Sequence, residues 1–180
     1  LEAAVEAAEA GTTIELVNSL DLVTAIEINK DLTINLKGNT LTVENDTEGN
    51  GVFHVTSGAT LTLEGEGTIN GAGNNKWNIA VFVEGENSKA IINNGTFTNK
   101  DVDPSKWEDN THFDLIYVKD GATVEINGGT FECITPKWTL NSHDTLVGTI
   151  VVNGGSFYNY DPSKSDTEPG EGTTNFLEEG

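Results

Sequence analysis

The chain has 180 residues, enough for one domain with a continuous core, and 29 acidic residues against 9 lysines give it a net charge of −20. Binding to nucleic acid or to an anionic membrane surface rests on Lys and Arg contacts, so this balance argues against both. No apolar run approaches the roughly 20 residues of a membrane span, and the single cysteine, Cys133, rules out a disulfide within the chain.

The first residues of the chain predict a short helix. Residues 1–10 are rich in Leu, Glu and Ala, which are strong helix formers, and Gly11 follows where a C-cap glycine is expected. Leu1, Val5 and Ala8 fall on one face of such a helix. We expect residues 1–11 to form an amphipathic cap over the open end of a repeat array, which would otherwise expose its core and a strand edge.

A repeat of one strand and one turn follows this helix. Its pattern is apolar-x-apolar, a turn of Gly and Asn, a Thr or Ser, and a large apolar residue. The alternation is that of a strand with one buried face, and the Asn-Gly and Gly-Gly pairs bend the chain sharply. The five copies are 28, 28, 34 and 26 positions apart and end at Leu41, Ile69, Phe97, Phe131 and Phe157.

This spacing suits a coil that closes and stacks on the next one. We therefore predict an all-β fold, a single-stranded right-handed parallel β-helix (a solenoid), over residues 12–160. Equivalent residues would lie about 4.8 Å apart, so Asn93, Asn127 and Asn153 should form an asparagine ladder and the five closing residues an apolar stack. A second strand in three coils is predicted by the upstream pairs Phe53 and Val55, Val81 and Val83, and Ile116 and Val118. A sheet-rich sandwich with a chance repeat is the alternative.

The tail over residues 161–180 loses the strand pattern. It contains the run Asp-Thr-Glu-Pro-Gly-Glu-Gly, which is typical of a loop or linker. A second small cap is predicted around Asn175-Phe-Leu-Glu-Glu, and the natural chain is expected to continue beyond Gly180.

Three insertions between coils carry the most specific polar pattern. They lie at 70–78, 99–113 and 132–146, and each contains a Lys-Trp pair. Tryptophan faces stack on sugar rings or on apolar protein patches, although each Trp can instead fold its own loop onto the wall. Two insertions share Lys-Trp-x-x-Asn-Thr/Ser-His, which predicts that their histidines are neighbours on adjacent coils. The candidate ligand-binding residues are Trp77, Trp107, Trp138, Lys106, Lys137, His112 and His143.

The sequence predicts no metal site and no cofactor. A metal bridged by the two motif histidines, with Asp114 and Asp144 nearby, is the alternative to a hydrogen-bonded loop pair, but the spacing is no known zinc signature. The acidic loops at 46–48, 101–109 and 161–171 lack the spacing of calcium loops, so a solvated acidic surface is expected there. His54 is isolated in the sequence.

Two stretches of the chain resemble a known family. Residues 1–16, with the later run Ile-Asn-Lys-Asp-Leu-Thr-Ile-Asn-Leu-Lys-Gly-Asn-Thr-Leu, look like the opening of pectate-lyase-like β-helix domains of gut bacterial surface proteins and phages. The runs Asn-Gly-Gly-Ser-Phe-Tyr-Asn-Tyr-Asp-Pro-Ser and Thr-Asn-Phe-Leu-Glu-Glu-Gly are similar to their closing segment. Some of these domains look like phage head fibres that decorate capsids.

The enzymes of this superfold differ from this chain in their catalytic residues. Pectate lyases typically use an arginine as base, and this chain has none. The Asn-Thr-Asp, Asp-Asp, Gly-His-Gly and Arg-Ile-Lys strings of polygalacturonases are also missing. The resemblance therefore implies a fold and carries over no catalytic residue.

Two functional hypotheses follow. The first is a non-catalytic structural and binding module, extracellular on a phage capsid or a bacterial surface. Flanking chain would anchor it to capsid or cell wall, and its loops would meet a cell-surface glycan or a host surface protein. A homo-oligomer would hide the tryptophan strip. The second hypothesis is a polysaccharide-degrading enzyme, a lyase or glycoside hydrolase, in which two or three carboxylates converge with the tryptophans in a lateral groove.

Overall fold

A computed structural model describes residues 1–46, 48–72, 77–101, 113–165 and 174–177. These residues are mostly β, with one short α-helix at the start. The helix is α1 (Glu2–Ala7), and the strands are β1 (Thr12–Glu15), β2 (Leu20–Leu22), β3 (Ile26–Ile28), β4 (Leu32–Asn35), β5 (Thr40–Val43), β6 (Phe53–Val55), β7 (Thr60–Glu64), β8 (Thr68–Gly71), β9 (Val81–Glu84), β10 (Lys89–Ile92), β11 (Thr96–Thr98), β12 (Ile116–Lys119), β13 (Thr123–Ile126), β14 (Thr130–Glu132), β15 (Leu140–Ser142), β16 (Thr149–Val152) and β17 (Ser156–Phe157).

Each strand pairs in parallel with the strand three places along the chain. Sheet A has the order β1-β4-β7-β10-β13-β16, sheet B the order β2-β5-β8-β11-β14-β17, and sheet C the order β3-β6-β9-β12-β15. Parallel strands cannot be joined by a tight hairpin and need a crossover. Here the chain crosses through the other two sheets before it returns, an order that is consistent with the predicted parallel β-helix.

Left-handed residues make the corners between sheets. Asp120 and Gly121 both have positive φ, and the amide of Ala122 donates to the carbonyl of Lys119 over 3.2 Å, which is a type I′ turn between sheet C and sheet A. At the next corner Gly129 has a φ of 105°. Its neighbour Gly128 has no room for a side chain, because a Cβ there would lie 2.5 Å from the carbonyl oxygen of Asn93 in the preceding coil.

The inward residues of the three sheets form one hydrophobic cluster. The predicted apolar stack is confirmed along sheet B. Phe97 and Phe131 lie parallel with ring centroids 5.0 Å apart, and Phe131 and Phe157 follow at 4.8 Å. The ladder pairs along this row join Leu41 to Ile69, Ile69 to Phe97, Phe97 to Phe131 and Phe131 to Phe157. The predicted upstream pairs are also inward and in register, as sheet C shows for Phe53, Val81 and Ile116.

The asparagine ladder is confirmed at the corner that follows sheet A. The side-chain amide of Asn127 donates to Oδ1 of Asn93 over 3.0 Å, and that of Asn153 donates to Oδ1 of Asn127 over 2.9 Å. The amide of Asn127 therefore donates to the preceding coil and accepts from the following one.

The two ends of the array differ from the predicted caps in detail. Val5 of α1 is buried in the core, with Leu1 and Ala8 packed beside it, as predicted. The prediction that Gly11 is the C-cap is wrong. The helix ends at Ala7, and the ammonium of Lys30 binds the carbonyls of Glu6 and Ala8, at 2.9 and 3.0 Å, so the helix end needs no glycine.

The closing segment docks on the last coil. Phe176 is buried, and its carbonyl accepts from the amide of Val152 over 2.7 Å. Leu177 forms a parallel bridge with the same strand. The second small cap predicted in the tail is thus present over residues 174–177.

The prediction that 132–146 is an insertion between coils is wrong for Leu140–Ser142, which form β15 of sheet C. A 3-10 helical turn over Pro136–Trp138 leads into this strand. The apolar Leu140 takes the position opposite Ile116 in sheet C, which draws this segment into the ladder. Cys133 starts the same segment. It is buried, and burial raises the pKa of its thiol to about 11.

Truncation of the sheet B row should show how strongly stacking stabilises the fold. Phe131→Ala removes a fully buried ring that contacts two others, and we expect a loss of about 3–5 kcal/mol in the free energy of unfolding. Urea denaturation measures it. Phe157→Ala is the matched control and should cost clearly less, because that ring is only half-buried at the end of the row. Equal losses would contradict the stacking account.

Candidate functional site

The predicted binding residues divide into described and undescribed positions. Lys106, Trp107 and His112 lie outside the described residues. Trp77, Lys137, Trp138 and His143 are described, and all four lie in segments that lead into or out of strands of sheet C.

Trp77 lies just upstream of β9 and is half-buried. It has a φ of 62°, and the following Asn78 is left-handed too, so the chain turns sharply here. The indole packs against a small cluster of Ile79, Phe82 and Tyr117 on the outer face of sheet C. Trp77 is therefore folded onto the wall with part of its surface still open to solvent.

Trp138 closes the 3-10 turn upstream of β15 and is also half-buried. Its carbonyl accepts from the amide of Leu115 over 3.1 Å, which ties the turn to the preceding coil. The exposed Lys137 holds its ammonium 5.3 Å from the centre of the Trp138 ring. The attraction between a cation and an aromatic face stabilises this placement of the two side chains.

The register of sheet C determines where His143 lies. Its amide donates to the carbonyl of Val118, and the ladder pairs Leu140 with Ile116, so His143 follows β15 alongside Lys119. The prediction that His143 and His112 are neighbours on adjacent coils stays a prediction, because His112 lies outside the described residues. Burial of the apolar Leu140 opposite Ile116 favours the observed register.

The imidazole of His143 mainly organises its own loop. Nδ1 accepts from the amides of Thr145 and Leu146, at 3.1 and 3.2 Å. Oδ1 of Asp144 lies 2.9 Å from the same nitrogen and becomes an ion-pair partner only when the ring is protonated. Asp114 is buried and accepts from the side-chain amide of Asn141 over 2.8 Å.

The outer face of sheet C carries a cluster that was not predicted from the sequence. It is here called the sheet C cluster and contains His54, Phe82, Glu84, Tyr117 and Lys119. Nε2 of His54 lies 2.8 Å from Oε1 of Glu84, and Nζ of Lys119 lies 2.8 Å from Oε2 of the same carboxylate. The His54 ring stacks on Phe82 with centroids 4.7 Å apart. His54 is thus not isolated in the fold.

Alternation along the strands contained the signal for this cluster. Phe53 and Val55 point inward, so His54 between them must point outward, and Phe82 and Tyr117 occupy the same position in the next two coils. Finding the cluster required the register between coils, since the three residues lie about thirty positions apart in sequence.

The electrostatics of the sheet C cluster keep Glu84 ionised. Burial raises the pKa of its carboxyl, but hydrogen bonds from Lys119 and His54 outweigh burial and lower the pKa below its ordinary value. Lys119 also lies over the Phe82 ring, 5.1 Å from its centre. The group fits the role of an ion-pair centre joining three coils better than that of a proton donor.

An open acidic groove lies beside His54, between α1 and β3. Its volume is about 500 Å³, and Glu2, Glu6, Glu27 and Lys30 line it together with His54. The ammonium of Lys30 donates to the carbonyls of Glu6 and Ala8, as described above.

In the described parts of the acidic loops, Asp46 and Asp161 accept hydrogen bonds from their own loops. Asp46 is buried and accepts from the amides of Gly51 and Glu48, at 2.7 and 3.1 Å. Asp161 accepts from the amide and hydroxyl of Ser163. Among the described residues no three His, Cys, Asp or Glu side chains are grouped as a metal site would need.

Comparison with protein-family models, with curated proteins and with solved structures finds no match. Within the described residues no helix is long and apolar enough to cross a membrane.

The stability of a Glu84→Gln variant at different pH values tests the role of the ion-pair centre. Because the folded-state pKa of Glu84 is lowered, its stabilisation is present above the ordinary Glu pKa and disappears as pH falls through the folded value. We expect the variant to lose about 0.5–1 kcal/mol in the free energy of unfolding at neutral pH, and the difference from wild type to vanish in acid. Urea denaturation at both pH values measures it.

The control for this change is Glu66→Gln at an exposed position, which should shift stability by less than about 0.5 kcal/mol at either pH. A loss at Glu84 that stays the same in acid would show that charge is not its source.

Proposed function

We propose that this chain is a single right-handed parallel β-helix that serves as a non-catalytic structural and binding module. Two findings support the closed architecture. The three sheets recur in the same order in successive coils, and their inward side chains form one cluster. Right-handedness is supported by the near-universal hand of parallel crossovers.

The carboxyl groups support a binding role over the enzyme alternative. A glycoside hydrolase needs one carboxyl with a raised pKa to protonate the leaving group. The pKa values of Glu84, Glu125 and Asp161 are all lowered, because hydrogen bonds favour the charged form in each, so none of these three carboxyls suits that role. Burial disfavours the thiolate of Cys133 and raises the pKa of its thiol to about 11, so Cys133 is a poor nucleophile.

The observation that carries the binding proposal is the placement of Trp77 and Trp138. Both are half-buried, and both lie directly upstream of strands of sheet C. Those strands, β9 and β15, are separated by β12 alone, so their backbones are roughly 10 Å apart. Two aromatic side chains next to strands at this backbone spacing suit a linear glycan whose sugar rings stack on them in turn.

Display outside the cell, on a phage capsid or a bacterial surface, completes the proposal. It is supported by the resemblance of the opening and closing segments to β-helix domains of gut bacterial surface proteins and phage head fibres. Chain flanking the coils would provide the anchor. The charge of −20 keeps the surface soluble and repels anionic partners.

The first test follows tryptophan fluorescence during titration with a panel of bacterial surface glycans, with an assay for chain cleavage in the same mixtures. We expect a saturable shift without cleavage. Trp138→Ala should weaken binding at least about tenfold, as removal of a hot-spot aromatic does, and Tyr158→Ala on sheet B is the matched control that should not. Cleavage would establish the enzyme alternative, and the absence of any shift would reject the binding role.

The second test uses the charge of the ligand. Neutral glycans should bind more tightly than uronic-acid polymers of the same length, because the protein field repels the latter. The difference in affinity between neutral and acidic glycans should become smaller when the salt is raised from about 0.05 M to about 0.5 M, because screening shortens the range of that field. A preference for acidic polymers at low salt would contradict the proposed surface.

A further inference from the structure

Five asparagines of the chain lie directly before a glycine. They are Asn50, Asn70, Asn94, Asn127 and Asn153. Such a pair can deamidate without an enzyme, because glycine has no Cβ that would keep its backbone nitrogen away from the preceding side chain. The rate then depends on whether the fold holds the two reacting groups apart or lets them meet.

At Asn94 the two reacting groups already lie together. The backbone amide of Gly95 donates to Oδ1 of Asn94 over 2.8 Å. The side-chain carbon Cγ is one C=O bond of about 1.23 Å from that oxygen, so it lies within about 4 Å of the Gly95 nitrogen. This is close to the separation of roughly 3–3.5 Å at which two groups are ready to react. Asn94 is also exposed, and its Nδ2 has no hydrogen-bond partner among the described residues.

The next two coils hold the same kind of pair in an unreactive arrangement. The amides of Gly128 and Gly154 each donate to a backbone carbonyl of the preceding coil, over 3.3 and 3.2 Å. The side chains of Asn127 and Asn153 are held in the asparagine ladder described above. Attack of the glycine nitrogen would break hydrogen bonds on both reacting groups, and each broken bond adds to the barrier.

The two remaining pairs are protected by other contacts. The amide of Gly51, which follows Asn50, donates to Oδ2 of the buried Asp46 over 2.7 Å, so its N–H is already engaged. Asn70 is buried within β8, and its side-chain amide donates to Asp101. Asn94 is therefore the pair that combines exposure, an unbound leaving group and a neighbouring nitrogen.

We propose that Asn94 is a site of spontaneous deamidation in the folded protein. The nitrogen of Gly95 loses its proton to water or hydroxide and bonds to Cγ of Asn94. The bond from Cγ to Nδ2 breaks, and Nδ2 takes up a proton and leaves as ammonia. One water molecule then hydrolyses the resulting succinimide ring. Opening on one side gives aspartate, and opening on the other gives isoaspartate, in which the main chain runs through Cβ and Cγ.

Either product changes the corner between sheet A and sheet B. Each adds a negative charge at an exposed position of a chain whose net charge is already −20. Isoaspartate also lengthens the backbone by one atom directly before Gly95. This glycine has a φ of 111°, and an added Cβ there would lie 3.2 Å from the buried Leu36. The corner is thus closely packed, so isoaspartate should destabilise the fold more than aspartate does.

Ageing of the folded full-length chain at mildly alkaline pH, followed by peptide mapping with mass spectrometry, tests the proposal. Cleavage at lysine gives a fragment over residues 90–100 that contains Asn94, and separate fragments that contain Asn127 and Asn153. We expect Asn94 to deamidate at least about tenfold faster than either ladder residue. Labelling by an isoaspartate methyltransferase identifies the isoaspartate product. In urea the three rates should become similar, because the fold no longer distinguishes the sites.

Asn94→Gly is the matched variant. It gives this corner the Asn-Gly-Gly sequence of the next two coils and places Asn93 directly before a glycine. Because Asn93 accepts from Asn127 in the ladder, we expect deamidation in the 90–100 fragment to fall at least about tenfold. Asn94→Asp reproduces the aspartate product. Its thermal melting, compared with that of the aged protein, separates the effect of charge from that of isoaspartate.

Equal rates at Asn94 and at the ladder residues in the folded chain would overturn the proposal. So would an advantage of Asn94 that persists unchanged in urea, since it would then come from the local sequence and not from the fold, or an Asn94→Gly variant that deamidates as fast as wild type. The inference is independent of the proposed function. Glycan titration of the aged protein should show unchanged binding, because Trp77 and Trp138 lie beside sheet C and the modified corner joins the other two sheets.

Discussion

Parallel pairing between strands three places apart in the chain is the constraint on which the rest of this structure depends. Once Leu32 lies beside Leu61 and Phe97 beside Phe131, every inward side chain meets its equivalent from the neighbouring coil. The core is then a set of like-on-like apolar rows, and each coil adds about the same increment of buried surface. Corner residues must pack equally closely, which explains why Gly128 lies against the carbonyl of Asn93.

The same register arranges the outside of the molecule. Residues between inward pairs must project outward and must stack, and what they form depends on their chemistry. At one corner the result is a chain of asparagine amides. On sheet C it is the stack of His54 on Phe82 with the ion pair of Glu84 beneath Lys119. Contacts between neighbouring coils therefore hold these outward side chains in place.

Four lysines of this acidic chain join neighbouring coils. Lys119 bridges to Glu84, and further inter-coil pairs at 2.7–2.9 Å join Lys37 to Glu15, Lys89 to Glu125 and Lys100 to Glu132. Most of these side chains are partly exposed, so each pair contributes little alone. Together they place positive charge between stacked carboxylates where like-charge repulsion along the axis would otherwise be strongest.

The sequence by itself determined the repeat, the inward rows, the asparagine ladder and a helix at the start, because strand alternation and Gly-Asn corners are local patterns with a fixed period. Tertiary packing, by contrast, set the register of residues 132–146. The likeness between the two Lys-Trp motifs is polar and local, whereas the pairing of Leu140 with Ile116 follows from burial. His54, Phe82 and Lys119 meet through the parallel pairing of β6, β9 and β12, and no local spacing in the chain encodes that contact.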